Sequence, residues 1–142
     1  MSKVAIIFWS GTGNTEMMAN AIADGAKEAG AEVSLLPVSA TSADQAAGFD
    51  RLALGCPAMG AEVLEEMEFE PFFAELESKL SGKRVALFGS FGWGDGQWMR
   101  DWYSRTDEAG AVMVGEEGLM AHELPTSEVL DRCKALGKEL AG

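Results

Sequence analysis

Basic residues are scarce in this chain. Of 142 residues, 11 are Lys or Arg and 23 are Asp or Glu, a formal net charge of −12. Such a surface repels phosphodiester backbones and anionic bilayers, which argues against a nucleic-acid or membrane-surface role. Cysteine is nearly absent: Cys56 and Cys133 lie far apart and form no redox or zinc pattern. The single histidine, His122, excludes a histidine-rich metal site. No apolar run reaches the roughly 18 residues of a membrane span, and no basic stretch followed by an apolar one opens the chain. The expectation is a soluble cytoplasmic monomer of one domain, residues 1–142, whose partners carry basic surfaces.

Glycine, by contrast, is plentiful, with 17 residues, many of them in a few loops. The first such loop is Ser10-Gly11-Thr12-Gly13-Asn14-Thr15, which follows the apolar run Lys3–Trp9 and precedes a helical pattern over Thr15–Ala29. A strand that feeds a Gly/Ser/Thr turn opening a helix is a phosphate-binding arrangement. The first helical N–H groups lack intrahelical partners, and the helix dipole adds positive potential there. No Lys or Arg lies between Lys3 and Lys27, so the loop is no Walker motif. The position of a third dinucleotide-binding glycine holds Glu16. Many neutral donors and no cation suit a phosphate monoester. Taken alone, the stretch also reads as a plain Gly-rich turn with a threonine cap.

The rest of the chain alternates apolar strands with helical patterns. Strands are predicted at Glu32–Val38, Arg51–Cys56, Arg84–Gly89 and Ala111–Val114, the last resuming near Leu119–Ala121 after Gly115–Gly118. Helices are predicted at Glu70–Leu80, Gln97–Ala109 and Thr126–Leu140, with at most one helical turn in Thr41–Ala47. Alternation of this kind means a parallel sheet covered on both faces, with ligands beyond the carboxyl ends of the strands. Two more unusual loops follow such ends. Pro57–Glu66 carries Pro57, Ala58, Met59, Gly60 and Glu62. Ser90–Gly96 carries Ser90, Phe91, Gly92, Trp93 and Gly94. Met59 sits in a turn, and Trp93 stands between two glycines without a local packing partner. Together they could clamp a flat ring from both sides. Trp98 and Trp102, at i and i+4 of a helix, read as core. Trp9 ends a strand beside the first loop and could serve either purpose.

A phosphate nest with a two-sided ring clamp describes a phosphorylated planar cofactor. Four stretches carry a resemblance to a known family: W-S-G-T-G-N-T at 9–15, L-G-C-P-A-M-G at 54–60, V-L-E-E at 63–66 and A-L-F-G-S-F-G-W-G-D-G at 86–96. The sequence resembles the flavodoxins, most of all the short-chain, clostridial-type ones. The resemblance implies a flavodoxin-like, doubly wound five-stranded parallel α/β sheet of order 2-1-3-4-5, with helices on both faces. It implies a low-potential one-electron carrier with tightly, noncovalently bound FMN, passing through quinone, neutral semiquinone and hydroquinone states between redox partner proteins.

By that resemblance, Ser10–Thr15 holds the FMN phosphate, Met59 and Trp93 cover the two ring faces, and Glu62 accepts from the flavin N3–H. The Gly60 peptide turns over on one-electron reduction, and Ser90 with Gly92–Gly94 lines the ribityl and pyrimidine side. Trp9, Pro57, Ala58 and Phe91 complete the expected cofactor-binding set, with no catalytic residue and no metal ligand. Ala61 and Phe91 depart from common family choices, and Gly115–Gly118 and His122 match no assigned feature. Cys56 is expected to be a buried structural thiol.

Seven acidic residues (Glu62, Glu65, Glu66, Glu68, Glu70, Glu75 and Glu77) lie between Arg51 and Lys79 with no basic one among them. Glu75 and Glu77 read as a solvated face, whereas those that begin in the second loop, such as Glu62, Glu65 and Glu66, would make added negative charge near a flavin costly and would steer basic partners. The main alternative is an FMN-dependent NAD(P)H quinone reductase or nitroreductase on the same fold, though 142 residues leave no obvious nicotinamide site. A receiver domain would need Asp where Cys56-Pro57 stands. A low-molecular-weight tyrosine phosphatase would need Arg where Glu62 stands.

Overall fold

Apolar runs of five or six residues separated by helical patterns have one economical solution, a parallel sheet with crossover helices. A computed structural model of the chain, describing residues 2–142, has that architecture. Strands β1 (Lys3–Phe8), β2 (Glu32–Pro37), β3 (Arg51–Gly55), β4 (Arg84–Phe91), β5 (Val112–Met113) and β6 (Leu119–His122) alternate with five helices. These are α1 (Asn14–Glu28), α2 (Ala43–Ala46), α3 (Phe69–Glu77), α4 (Gln97–Glu108) and α5 (Ser127–Ala141). The order across the sheet is β2-β1-β3-β4-β5, and every pairing is parallel. The fifth position is split. β5 pairs with the start of β4 at Arg84 and Val85, and β6 pairs with its end from Phe88 to Phe91. The Gly115–Gly118 stretch is the break, as the sequence predicts.

Most boundaries shift by a residue or so, and α3 ends at Glu77 rather than Leu80; two shifts follow from pairing. β4 runs on through Ser90 and Phe91, because β6 supplies partners at Ala121 and His122. Those two residues therefore start from strand geometry rather than from a loop. Strand β2 stops at Pro37, and Val38–Ala40 form a 3-10 turn. The helical turn anticipated near Thr41–Ala47 is α2, where the Gln45 N–H donates to the Ser42 hydroxyl at 3.2 Å.

Strand residues alternate between two cores. Ala5, Ile7, Leu52, Leu54, Val85 and Leu87 face α3 and α4, with Trp98 and Trp102 in that core. Val4, Ile6, Phe8, Ala53, Ala86 and Phe88 face α1 and α5. On the α1/α5 side, two glycines set the approach. A Cβ on Gly25 would lie 2.0 Å from the Lys134 carbonyl oxygen, and one on Gly137 would lie 2.1 Å from that of Ile22. On the opposite side, Phe69 and Phe73 meet Trp102 edge-on, with centroids at 5.5 and 5.8 Å. Arg105 forks onto both oxygens of Glu70 (2.8 and 2.8 Å) and both of Glu77 (3.0 and 3.0 Å), above the Phe73 ring. The hydrogen bonds to Glu70 lead in holding that guanidinium in its charged form.

Candidate functional site

The carboxyl ends of β1, β3 and β4 lie side by side, and the chain leaves all three through loops of small residues. Between those loops is a cleft of about 400 Å³ lined by Trp9, Gly11, Thr12, Asn14, Pro57, Ala58, Met59, Ser90, Phe91, Gly92 and Glu123. Ten of these eleven are site residues that the sequence predicts. No Lys or Arg lines the cleft, and its single ionisable group is Glu123.

The first loop turns on Gly13, at φ +94°, which places the α1 N-terminus toward the cleft. Gly11 needs no such backbone; its bare Cα makes room instead for the Trp9 ring, 3.1 Å from where a Cβ would sit. The N–H groups of Gly13 and Glu16 both donate to the Ser10 hydroxyl oxygen, at 3.1 and 3.3 Å, and the Asn14 N–H donates to Thr12 Oγ1 at 3.3 Å. The Ser10 hydroxyl thus satisfies two N–H groups at the head of α1, as a capping side chain does. Thr15 lies below the cleft floor, 1% exposed, with its hydroxyl 3.1 Å from that of Ser90 and accepting from the Ser90 N–H at 3.3 Å. It ties the first loop to β4.

The second loop leaves β3 still bound to β4. Cys56 N–H donates to Phe88 O at 3.1 Å, and Ala58 N–H donates to Ser90 O at 3.0 Å. Met59 and Val63 then exchange both backbone hydrogen bonds, at 2.8 and 3.0 Å, and enclose Gly60, Ala61 and Glu62 in a small hairpin. Both Gly60 (φ +49°) and Glu62 (φ +56°) are left-handed, a conformation that Glu adopts only at a cost. The Glu62 carboxylate reaches the third loop, where it accepts from the Asp95 N–H at 3.0 Å and occupies the space a Gly94 Cβ would need. The structure thus brings Glu62 and Gly94 together, but against each other rather than into the cleft lining. Trp93 also stands off the lining, 66% exposed. Ser10 faces a neighbouring groove, and Trp9 lines both spaces.

Two anchors escape a reading of the sequence. Glu65 is 6% exposed, and its carboxylate accepts from the N–H groups of Met67 (2.8 Å), Glu68 (2.8 Å) and Phe69 (2.9 Å). Burial opposes its ionisation, but the three backbone bonds outweigh it and hold the carboxyl below its ordinary value. Its own N–H donates to Cys56 Sγ at 3.3 Å. In the sequence Glu65 is one glutamate among seven; the signal was its place one turn ahead of a helix start. Glu123, left-handed at φ +61°, enters the lining because its N–H donates to Phe91 O at 2.7 Å. Its signal was position alone, at the carboxyl end of a strand. Burial pushes the Cys56 and Cys133 thiols up to about 12, so neither offers a thiolate at neutral pH. His122 lies at the strand end with Nε2 3.2 Å from Gly92 O.

Comparison with known proteins agrees with this geometry. The flavodoxin family model matches residues 6–137. The flavodoxin of Clostridium beijerinckii is 52% identical over 136 residues, 96% of this chain and 97% of that protein. That of Megasphaera elsdenii is 48% identical over 138 residues, 97% of this chain and 98% of that protein. The solution structure of two-electron reduced Megasphaera elsdenii flavodoxin superposes with a TM-score of 0.88, covering 97% of this chain and 98% of that one. A flavodoxin from the domain Archaea, 26% identical, gives 0.87 over 98% of this chain and 96% of that one. With the split fifth strand, the 2-1-3-4-5 sheet and the three glycine-rich strand ends, these matches place the chain in the flavodoxin family of electron-transfer proteins.

Proposed function

We propose that this protein is a low-potential one-electron carrier that binds FMN tightly and noncovalently and moves electrons between protein partners. The observation that carries this reading is the chemistry of the cleft: neutral donors at a helix N-terminus on one side, Met59 and Phe91 on the other, and no cation between them.

FMN fits these residues on three counts. The Gly13 and Glu16 N–H groups converge on one oxygen at the head of a 15-residue helix, an arrangement a phosphate monoester can share. The cleft volume of about 400 Å³ lies within the ordinary range for cofactor sites of about 300–1,000 Å³. A Cβ at Gly92 would meet nothing within 4 Å, so that edge is open to a ligand. On this reading Ser10, Gly11, Thr12, Gly13, Asn14 and Thr15 hold the phosphate, with Trp9 beside them. Pro57, Ala58, Met59, Ser90, Phe91 and Gly92 line the ribityl chain and ring. Gly60, Glu62, Trp93 and Gly94, on the rims of the two flanking loops, complete the ring site.

Bound FMN supplies reversible electron transfer in single-electron steps. The chain's own residues bind it, shield it and set the local field. Gly60 can present either face of its peptide because no Cβ resists the change in φ. Glu62 offers an acceptor oxygen whose position is fixed by the Asp95 N–H. Glu62, Glu65, Glu66 and Glu68 make added negative charge near the cleft costly and attract partners with basic surfaces. Both cysteines are free, and no described helix is long and apolar enough to cross a membrane. On this reading the carrier is a monomer working in the cytoplasm.

The test is stepwise anaerobic reduction of the FMN-loaded protein, followed by absorption. A one-electron-reduced species absorbing at long wavelength, accumulating midway, is the expected result. Direct bleaching in a two-electron step, or steady NAD(P)H oxidation by the isolated protein, would replace the carrier with a reductase.

A further inference from the structure

Beside the cofactor cleft, and sharing Trp9 with it, runs a second groove. One lobe, of about 380 Å³, is lined by Trp9, Glu16, Pro37 and Glu68 among others. A second lobe, of about 290 Å³, shares Val38, Ser39 and Glu68 with the first and continues past Phe72 to Glu75. The two lobes adjoin at Val38, Ser39 and Glu68, over the carboxyl end of β2 and between the head of α1 and α3. The groove lies on the opposite side of the first loop from the Met59 and Trp93 loops.

The chemistry of its walls is one-sided. Glu16, Glu68 and Glu75 supply three carboxylates, and no Lys or Arg lines either lobe. Lys79, one turn beyond Glu75, is engaged with Asp44 at 3.8 Å and does not enter the lining. Glu68 is held toward the groove by the Trp9 Nε1–H, at 3.4 Å. Between the carboxylates lies the half-buried indole of Trp9, with the buried Phe72 lining the far lobe. Carboxylates flanking aromatic surface select a planar, weakly hydrated cation that can stack and donate in a fork. That is guanidinium rather than ammonium.

We infer that this groove is a docking site for an arginine-bearing segment of a partner protein, distinct from the rim of the cofactor cleft. Charge complementarity is what commits it to that occupant: the protein carries −12, and this is a recess lined by acidic and apolar groups alone apart from small hydroxyl residues. The word partner rests on the carrier reading; the recognition of arginine does not. Because Trp9 walls both spaces, a seated guanidinium touches the side chain that borders the phosphate loop.

The experiment is a backbone and indole N–H chemical-shift titration of the FMN-loaded protein with acetylated, amidated tri-arginine, and separately with tri-lysine of equal charge. Shifts are expected at the Trp9 indole and at Val38, Ser39 and Glu68, with tri-arginine the tighter ligand. The triple variant Glu16→Gln, Glu68→Gln, Glu75→Gln should weaken tri-arginine binding at least about tenfold. A control with the same charge change on exposed positions of α1 and α5 (Asp24→Asn, Glu128→Gln, Asp131→Asn) should leave it within about twofold. Shifts confined to Glu66, Met67 and Trp93, equal affinity for both peptides, or equal losses in the two triple variants would each overturn the groove. A protein that takes up FMN and passes through the one-electron species yet ignores both peptides loses this inference alone. One that binds tri-arginine in the groove but fails the reduction test loses the carrier reading alone.

Discussion

On one face of the sheet, α1 and α5 cross through Gly25 and Gly137, main chain against main chain. On the other, α3 and α4 are joined by aromatic rings and by Arg105 spread over two glutamates. The first contact is closest at two backbone carbonyls, which have no rotamers to change. The second is made of side chains that can change rotamer, and one ion pair is open to solvent at its edge, with 31–38% side-chain exposure. The difference follows what each face supports. The α1/α5 face fixes the helix whose N-terminus heads the first loop beside the cleft. The α3/α4 face carries the hairpin around Gly60, where Gly60 and Glu62 are both left-handed. Glu65 stands at the boundary, pinning the end of that hairpin to α3 through three backbone N–H groups.

The largest expected effect breaks the rigid face. Gly25→Ala should cost about 3 kcal/mol in chemical denaturation, because its Cβ meets a backbone carbonyl that cannot rotate away. An ordinary helical Gly→Ala change would instead stabilise by up to about 1 kcal/mol, so even the sign discriminates.

Next is the boundary. Glu65→Gln should cost about 2 kcal/mol at neutral pH, since an amide cannot accept at both positions. The pH dependence has a definite sign. The folded-state carboxyl lies below its ordinary value, so the unfolded chain takes up the proton at higher pH. Its stabilisation is complete above the ordinary glutamate range, near pH ~4.3, and is lost as pH falls through the folded value. The Gln variant should lack that loss, and the two stability curves should converge in acid.

On the adaptable face, Arg105→Lys should cost about 1 kcal/mol, because an ammonium cannot hold two carboxylates in a fork. Added salt should shrink the difference. Smallest of all, Trp93→Ala should leave the stability of the FMN-free protein within about 0.5 kcal/mol, since the indole is largely exposed and packs on little. The same change should weaken FMN binding measurably by fluorescence titration. A stable protein with unchanged FMN affinity would remove Trp93 from the ring site.

The rigid parts of the molecule were the most legible from sequence, because their signals are local. An apolar run, a Gly/Ser/Thr turn and a helical pattern lie within 29 residues, and the break in the fifth strand announces itself by Gly115 and Gly118. What escaped depends on contacts made at a distance. Glu123 joins the cleft only through the β4–β6 register. Glu65 differs from its neighbouring glutamates only in where the folded chain aims it. Glu62 reads as a cofactor ligand, and the structure gives its carboxylate a backbone partner across a second loop. Glycines were harder to assign than to find: Gly13 is needed for its φ, and Gly11 for the room it leaves to Trp9.

The α1/α5 crossing has a consequence for how this chain can change over generations. When a side chain blocks a substitution, a second substitution can often shrink the obstacle and restore the fit. Here the obstacle facing each glycine is the other helix's carbonyl, which every residue type carries alike. No partner mutation can clear it. Gly25 and Gly137 are therefore predicted not to co-vary at all, each held alone, while Glu70, Glu77 and Arg105 remain free to be exchanged as a set.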